Sequence, residues 1–353
     1  MYNIFPPKYQ SNKDNRLRYI DATRGFAIFL VVLGHVLNIG MNNYDENHFL
    51  HRLIYSFHMP LFFFLSGFVS YKPLEKWSFL FFIDYIKRKS VQLLLPTYLF
   101  FVTATVINSG DVLSCFYNTG VNKYWFGQAL FQMLVVYGII SALCNRFSSR
   151  LFIPLLFMAC LTRCLCFFVD HEPIFYRVFV LRETFMNMYF FIFGLLVSKY
   201  KNIFAWIFCN ERVRGIAIFT FIVCMIYIYQ PYAYGLLVKL SDQFLLRVSG
   251  VIFVFSLFIE TGQYWNGNQF IARLSNFIGK RTFDIYLIHY FFIPDLSFVF
   301  PYLNCKQEIA LEILLALSVS IVIMAFCLIV SFVLRSNRLT GLCILGIIKK
   351  IKK

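Results

Sequence analysis

Arg18-Tyr19-Ile20-Asp21-Ala22-Thr23-Arg24-Gly25, followed by an apolar run that closes on Gly34-His35, is the stretch from which the fold is read. About 20 apolar residues cross the hydrocarbon of a bilayer, so residues 21–39 form a predicted membrane helix. A helix that only has to cross lipid has no use for a guanidinium and an imidazole. At 1.5 Å rise per residue, Arg24 and His35 stand about 16 Å apart on nearly the same face. That face can line an aqueous cavity. Arg24 then lies within about one turn of one membrane boundary, and His35 lies deep in the core.

The rest of the chain has the same character. Hydrophobic residues make up 59% of the 353 and charged residues only 14%, which excludes a dispersed water-soluble domain of this length. Nine further apolar segments follow the first, at roughly 52–71, 91–108, 125–144, 151–169, 176–198, 213–230, 244–260, 282–300 and 309–334. The expected fold is therefore an all-α integral membrane protein of about ten transmembrane helices. Its expected organisation is a cytoplasmic tail over 1–20, a single membrane domain over 21–334 and a basic cytoplasmic tail over 335–353. Phe79 to Ile86, flanked by Lys76 and Lys87, is too short to cross and reads as an interfacial helix.

The net charge of +16 does not point to nucleic acid, because the cations alternate with apolar segments instead of covering one face. With the N-terminus placed in the cytoplasm, 24 of the 33 Lys and Arg residues fall in loops on that side, and only Arg52, Lys123, Lys239 and Lys306 fall opposite. The positive-inside rule accordingly puts both termini in the cytoplasm. The other five, Arg24, Arg163, Arg177, Arg182 and Arg247, lie within or at the ends of apolar segments. The closing lysines Lys349, Lys350, Lys352 and Lys353 read as an anchor on anionic headgroups. The ten cysteines show no paired spacing and read as small buried hydrophobes, with no metal site expected. The first apolar segment, behind Lys8, Lys13, Arg16 and Arg18, has no A-x-A-like cleavage site and reads as a retained signal anchor.

The second segment enters from the opposite side with Ser56-Phe57-His58-Met59-Pro60. Counted from its own boundary, His58 reaches a depth similar to that of His35, so a facing pair of imidazoles is expected, with one as general base for a hydroxyl nucleophile. Asp21 is a neighbour of Arg24 at i,i+3 and joins the catalytic candidates. In the ninth segment, Asp284 falls near the depth of Arg24, and His289 lies about one turn deeper on the same cavity. Arg163 stands in mid-membrane and needs a partner; Glu183, beside Arg182, and Glu260 are candidates for ion pairs with it or for substrate contacts, and Arg163 and Glu183 join the substrate-binding candidates with Asp284 and His289. Trp125 and Gln128 are placed to stack on and bond to a sugar.

These residues fall into motifs. Asp21-x-x-Arg24-Gly25 with His35, and Phe57-His58-Met59-Pro60 running to Ser66-Gly67-Phe68, resemble the first- and second-helix signatures of the acyltransferase type 3 family. Lys87-Arg88-Lys89 ahead of Pro96-Thr97-Tyr98, Tyr124-Trp125-Phe126, Phe190-Phe191-x-Phe193-Gly194 and Ile278-Gly279 through His289 resemble later stretches of the same family. The resemblance implies ten membrane helices and an O-acyltransferase of the bacterial inner membrane. It would carry an acyl group, commonly acetyl, from cytoplasmic acyl-CoA to a hydroxyl of a cell-envelope glycan or lipid-linked sugar. It implies no permanently bound cofactor, and it gives Arg24 and His35 the family's functional pair. Many members carry Arg-x-x-Arg before the third helix. Here those positions are Lys89 and Gln92, which leaves donor charge to Lys87, Arg88 and Lys89. The alternative is a transporter or flippase for a lipid-linked sugar, with the same polar residues lining its path.

Overall fold

The computed structural model describes residues 17–41, 49–108, 124–147, 150–166, 178–228, 236–298 and 309–348. Most of the predicted N-terminal tail, the predicted loop residues Lys123 and Lys306, Arg177 at the start of the segment predicted over 176–198, and the closing lysines lie outside these residues.

Helices are the regular structure of the described residues, which contain no strand. In chain order the α-helices are α1 (Arg18–His35), α2 (Phe49–Ser70), α3 (Phe79–Lys89), α4 (Leu95–Asn108), α5 (Trp125–Arg146), α6 (Phe152–Leu165), α7 (Leu181–Lys199) and α8 (Lys201–Phe208), then α9 (Glu211–Ile228), α10 (Leu236–Glu260), α11 (Gly262–Asn266), α12 (Phe270–Gly279), α13 (Thr282–Ile288), α14 (Ile309–Ser336) and α15 (Arg338–Cys343). Among the described residues six stretches are long and apolar enough to cross a membrane: Arg18–Gly40, Phe49–Ser70, Phe79–Ile107, Trp125–Arg146, Gln243–Glu260 and Ala310–Ser336. A seventh is counted if α7 and α8, bent by 111° at their junction, form one span.

The other three predicted segments have helices with identifiable shortfalls. The 14 residues of α6 reach only about 21 Å, against a hydrocarbon core of about 30 Å. In α9 the charges Glu211, Arg212 and Arg214 occupy the first turn. The segment predicted over 282–300 is helical only as far as Phe292, in α13 and the short 3₁₀ turn His289–Phe292. Pro294 stops it, since the residue before a proline is pushed out of helical geometry, and Ile293 has φ −74° and ψ 112°. Phe79 to Ile86, expected as a separate interfacial helix, instead continues through the π-helical turn Ser90–Leu94 into α4, within a 29-residue stretch. At 1.5 Å per residue that stretch is about 43 Å long, more than the core requires, and Phe79 and Leu80 at its start are exposed.

The chain divides into two compact units. In the unit formed by Met1–Phe62 and Tyr200–Ile329, α1 is the centre, packed most extensively on α12 and also on α10, α11 and α13. Backbone meets backbone at two points: a Cβ added to Gly25 would stand 2.6 Å from the Ser275 carbonyl oxygen, and one added to Gly279 would stand 1.8 Å from that of Asp21. Residues 21 and 25 thus face 279 and 275, so the two helices run antiparallel with small residues at their contact, as close packing of membrane helices requires. Beside them α9 lies along α10, with an Arg214–Glu260 ion pair of 2.6 Å and Phe57 against Phe221.

In the unit formed by Phe63–Lys199 and Val330–Lys353, α7 packs along α6 and against α5. The same device recurs there. A Cβ on Gly67 would lie 1.9 Å from the Phe191 carbonyl oxygen, and one on Gly194 would lie 2.0 Å from that of Phe64. The C-terminal end folds back so that Gly346, at φ +63°, lies against the backbone of Val91 and Gln92.

Candidate active site

His35 closes α1, and the chain continues from it as a π-helical turn, Val36–Gly40. Such turns are common where a helix must re-aim a functional side chain. Antiparallel to α1 runs α12, whose C-terminal Gly279 backbone abuts Asp21. After Lys280 and Arg281 the chain reverses, and α13 returns beside α1 from the level of Asp21 toward that of His35. It ends at Ile288 and becomes the 3₁₀ turn that opens with His289. The strand of chain beyond is tied to the end of the first helix by the Leu296 N–H, which donates to the Gly40 carbonyl at 2.6 Å.

Two interrupted helices therefore bring their ends together, and three polar rings meet there. His35 Nδ1 and His289 Nε2 are 2.8 Å apart, with the two rings nearly coplanar at 9°. His289 Nδ1 lies 3.0 Å from the Ile285 carbonyl oxygen, and the Tyr290 hydroxyl lies 3.2 Å from His35 Nε2. His289 is fully buried, while His35 and Tyr290 are half-buried. In the π-helical turn just past His35, Asn38 donates to the Tyr55 hydroxyl at 2.7 Å, and the Tyr55 ring stacks on His51 and meets His58 edge-on.

The imidazole hydrogen-bonded to His35 is thus His289, not the expected His58. His58 is buried, and its Nδ1 donates to the Ile54 carbonyl of its own helix at 2.7 Å. At the other end of α1, Asp21 is buried in the first turn and Arg24 is half-buried. Asp284 is likewise buried in the first turn of α13. Both carboxylates thus stand where the unsatisfied N–H groups of a helix start favour negative charge. Glu260, expected as a partner for Arg163, pairs with Arg214 instead.

The remaining candidates lie in the other unit. Arg88 pairs with Asp84 on an exposed face, and Lys87 is exposed. Lys89 donates to the Gln92 side-chain oxygen at 3.1 Å, so the two positions that depart from Arg-x-x-Arg are bonded to each other. Gln128 is buried, and its amide donates to the Val178 carbonyl at 2.9 Å. Beside it Gln132 donates to the Phe179 carbonyl and accepts from the Thr184 hydroxyl. Together they brace the turn at Val180, a β-branched residue held at φ +52°. Gln128 is therefore committed to the fold and not presented to a sugar. Trp125 packs on Phe63 and Phe126, and Arg163 and Glu183 are half-buried.

Sequence reasoning passed over Tyr290. It follows His289 directly, and both side chains reach His35 because they meet different nitrogens of its ring, His289 at Nδ1 and Tyr290 at Nε2. Pro294 was the signal that the helix gives way there. The sites among the described residues hold no group of three or more metal-ligating side chains.

Comparison with known proteins agrees with the motifs. The chain is 29% identical to the Nodulation protein NolL of Sinorhizobium fredii over 160 residues, 40% of this chain and 42% of that protein. It is 29% identical to the NolL of Mesorhizobium japonicum over 147 residues, 38% of each. The chain thus aligns with about two fifths of the length of these curated relatives. No solved structure matches it. A family model described as an acyltransferase domain matches residues 17–335, nearly the whole of the chain, and carries both motif-bearing helices and the His289 stretch: the protein belongs to the acyltransferase type 3 family.

Proposed function

We propose that the protein is a membrane O-acyltransferase that moves an acyl group, in the simplest case acetyl, from cytoplasmic acyl-CoA to a hydroxyl of a cell-envelope glycan or lipid-linked sugar. The observation that carries this reading is the His35 cluster, held at the far end of the helix whose first turns carry Arg24. Arg24 suits a phosphate of the donor, because a planar guanidinium meets two phosphate oxygens at once. The two residues are about 16 Å apart along α1, a distance an extended pantetheine arm can cover, so the phosphates stay near the cytoplasm while the thioester reaches His35.

At His35 the acceptor oxygen attacks the thioester carbon as His35 Nε2 takes the hydroxyl proton. The C–S bond of the tetrahedral intermediate then breaks, and the proton passes from the imidazolium to the departing sulfur. An ester and CoA thiol result, with no redox partner required. Asp284 and Asp21 are assigned to orienting Arg24. Lys87, Arg88 and Lys89 are assigned to the donor, and Trp125, Arg163 and Glu183 to the acceptor, on sequence grounds. The bacterial inner membrane is the expected location, with both termini cytoplasmic. The test is to incubate purified protein with radiolabelled acetyl-CoA, with and without membrane-derived glycan lipids. Label should enter the lipid fraction only when protein and acceptor are both present, and export of intact glycan lipid without label would favour a flippase.

A further inference from the structure

A base works only if its lone pair points at the proton it is to take, and a free imidazole divides its proton between two nitrogens. In this protein the division is decided by a group that cannot donate. The Ile285 carbonyl, 3.0 Å from His289 Nδ1, only accepts, so His289 carries its proton on Nδ1 and presents Nε2 bare. The contact of 2.8 Å between that Nε2 and His35 Nδ1 then requires the proton on His35 Nδ1. What remains on His35 is the Nε2 lone pair, and the Tyr290 hydroxyl, 3.2 Å away, donates to it. The direction of every bond in the chain follows from the carbonyl at its end.

We propose that His289 is a positioning residue: it locks His35 in the Nδ1–H form and aims Nε2 at the point now taken by the Tyr290 hydroxyl, which is where the acceptor hydroxyl gives up its proton. His289 does not touch substrate. When His35 becomes an imidazolium, its Nδ1–H still points at His289 Nε2, which stabilises the charge as it forms. The α13-to-3₁₀ transition serves this end, because it puts His289 one residue past the helix with its Nδ1 still on the carbonyl four residues back. The proposal rests on His35 being the base of the transfer reaction, and its test has an arm that is independent of activity.

That arm is solid-state NMR of the ¹⁵N-imidazole-labelled full chain in lipid bilayers, with His35 assigned by comparison with His35→Gln. Wild-type His35 should show a protonated Nδ1 and a bare Nε2, and His289→Phe should populate the opposite tautomer. A wild-type His35 protonated on Nε2, or a tautomer unchanged in His289→Phe, overturns the proposal whether or not the chain proves to be a transferase. In the transfer assay, His289→Phe should lower kcat by roughly a hundredfold with little change in donor KM. His289→Gln, whose side-chain oxygen can accept from His35 Nδ1, should restore kcat to within several-fold of wild type. Equal losses in the Phe and Gln variants, with both folded, would mean that His289 must itself exchange a proton, and would overturn the positioning role.

Discussion

At Arg24 the shape of the cation matters as much as its charge. A guanidinium grips phosphate through two parallel N–H bonds, whereas an ammonium is a point donor. Arg24→Lys should therefore raise the apparent KM for acyl-CoA by about tenfold, equivalent to about 1.4 kcal/mol, while kcat changes little. An unchanged KM in steady-state assays would remove Arg24 from the phosphates. Glu260 makes a contrasting case, because its carboxylate faces Arg214 and is half-exposed at 48%. Glu260→Gln should leave transfer intact and cost less than about 1 kcal/mol in stability, measured by thermal unfolding in detergent. Arg24 and His35 were legible in the sequence because polar groups inside an apolar run demand an explanation. The pairing of His35 with His289 was not, because depth counted along ideal helices cannot say which of the imidazoles at similar depth, His58 or His289, meets His35.

Helices in this protein are located by their glycines. Gly279 leaves no room for a side chain: a Cβ there would stand 1.8 Å from the Asp21 carbonyl oxygen, backbone that cannot step aside. Gly279→Ala should push α12 off α1, costing about 1–3 kcal/mol and moving His289 away from His35, so that activity falls further than stability does. Gly215 in α9 is the matched control, since a Cβ there meets nothing within 4 Å. Gly215→Ala should be neutral or stabilise by up to about 1 kcal/mol through helix propensity alone. Equal thermal shifts for the two variants would show that the Gly279 contact is not what seats α12. The motifs contained these glycines, but their purpose is visible only once Gly25 and Gly279, or Gly67 and Gly194, face each other's backbones. Helix ends were the least legible feature. Hydropathy carries residues 282–300 as one run, although Pro294 lies within it and the helix gives way to a 3₁₀ turn before it.

Across the whole chain, the asymmetry of 24 Lys and Arg residues against four sets the expected orientation. In a background with the ten native cysteines replaced, single cysteines at Asn43 and Asn118 should label from outside intact cells, and those at Ser149 and Asn337 should be protected. An accessible Asn337 together with a protected Asn43 would invert α1 and turn Arg24 away from any cytoplasmic CoA. The all-helical membrane architecture was readable from composition alone, because 59% hydrophobic residues leave few other folds. The number of spans was not, since a 14-residue helix such as α6 satisfies hydropathy without satisfying length. The account stands or falls on His35 as the base. Single-turnover transfer of labelled acetyl from acetyl-CoA to membrane-derived glycan lipid, comparing wild type with His35→Ala in the same bilayers, tests that most directly. The expected result is a loss of at least about a hundredfold in rate, with acetyl-CoA affinity and thermal unfolding unchanged. Wild-type transfer by a folded His35→Ala protein would contradict it.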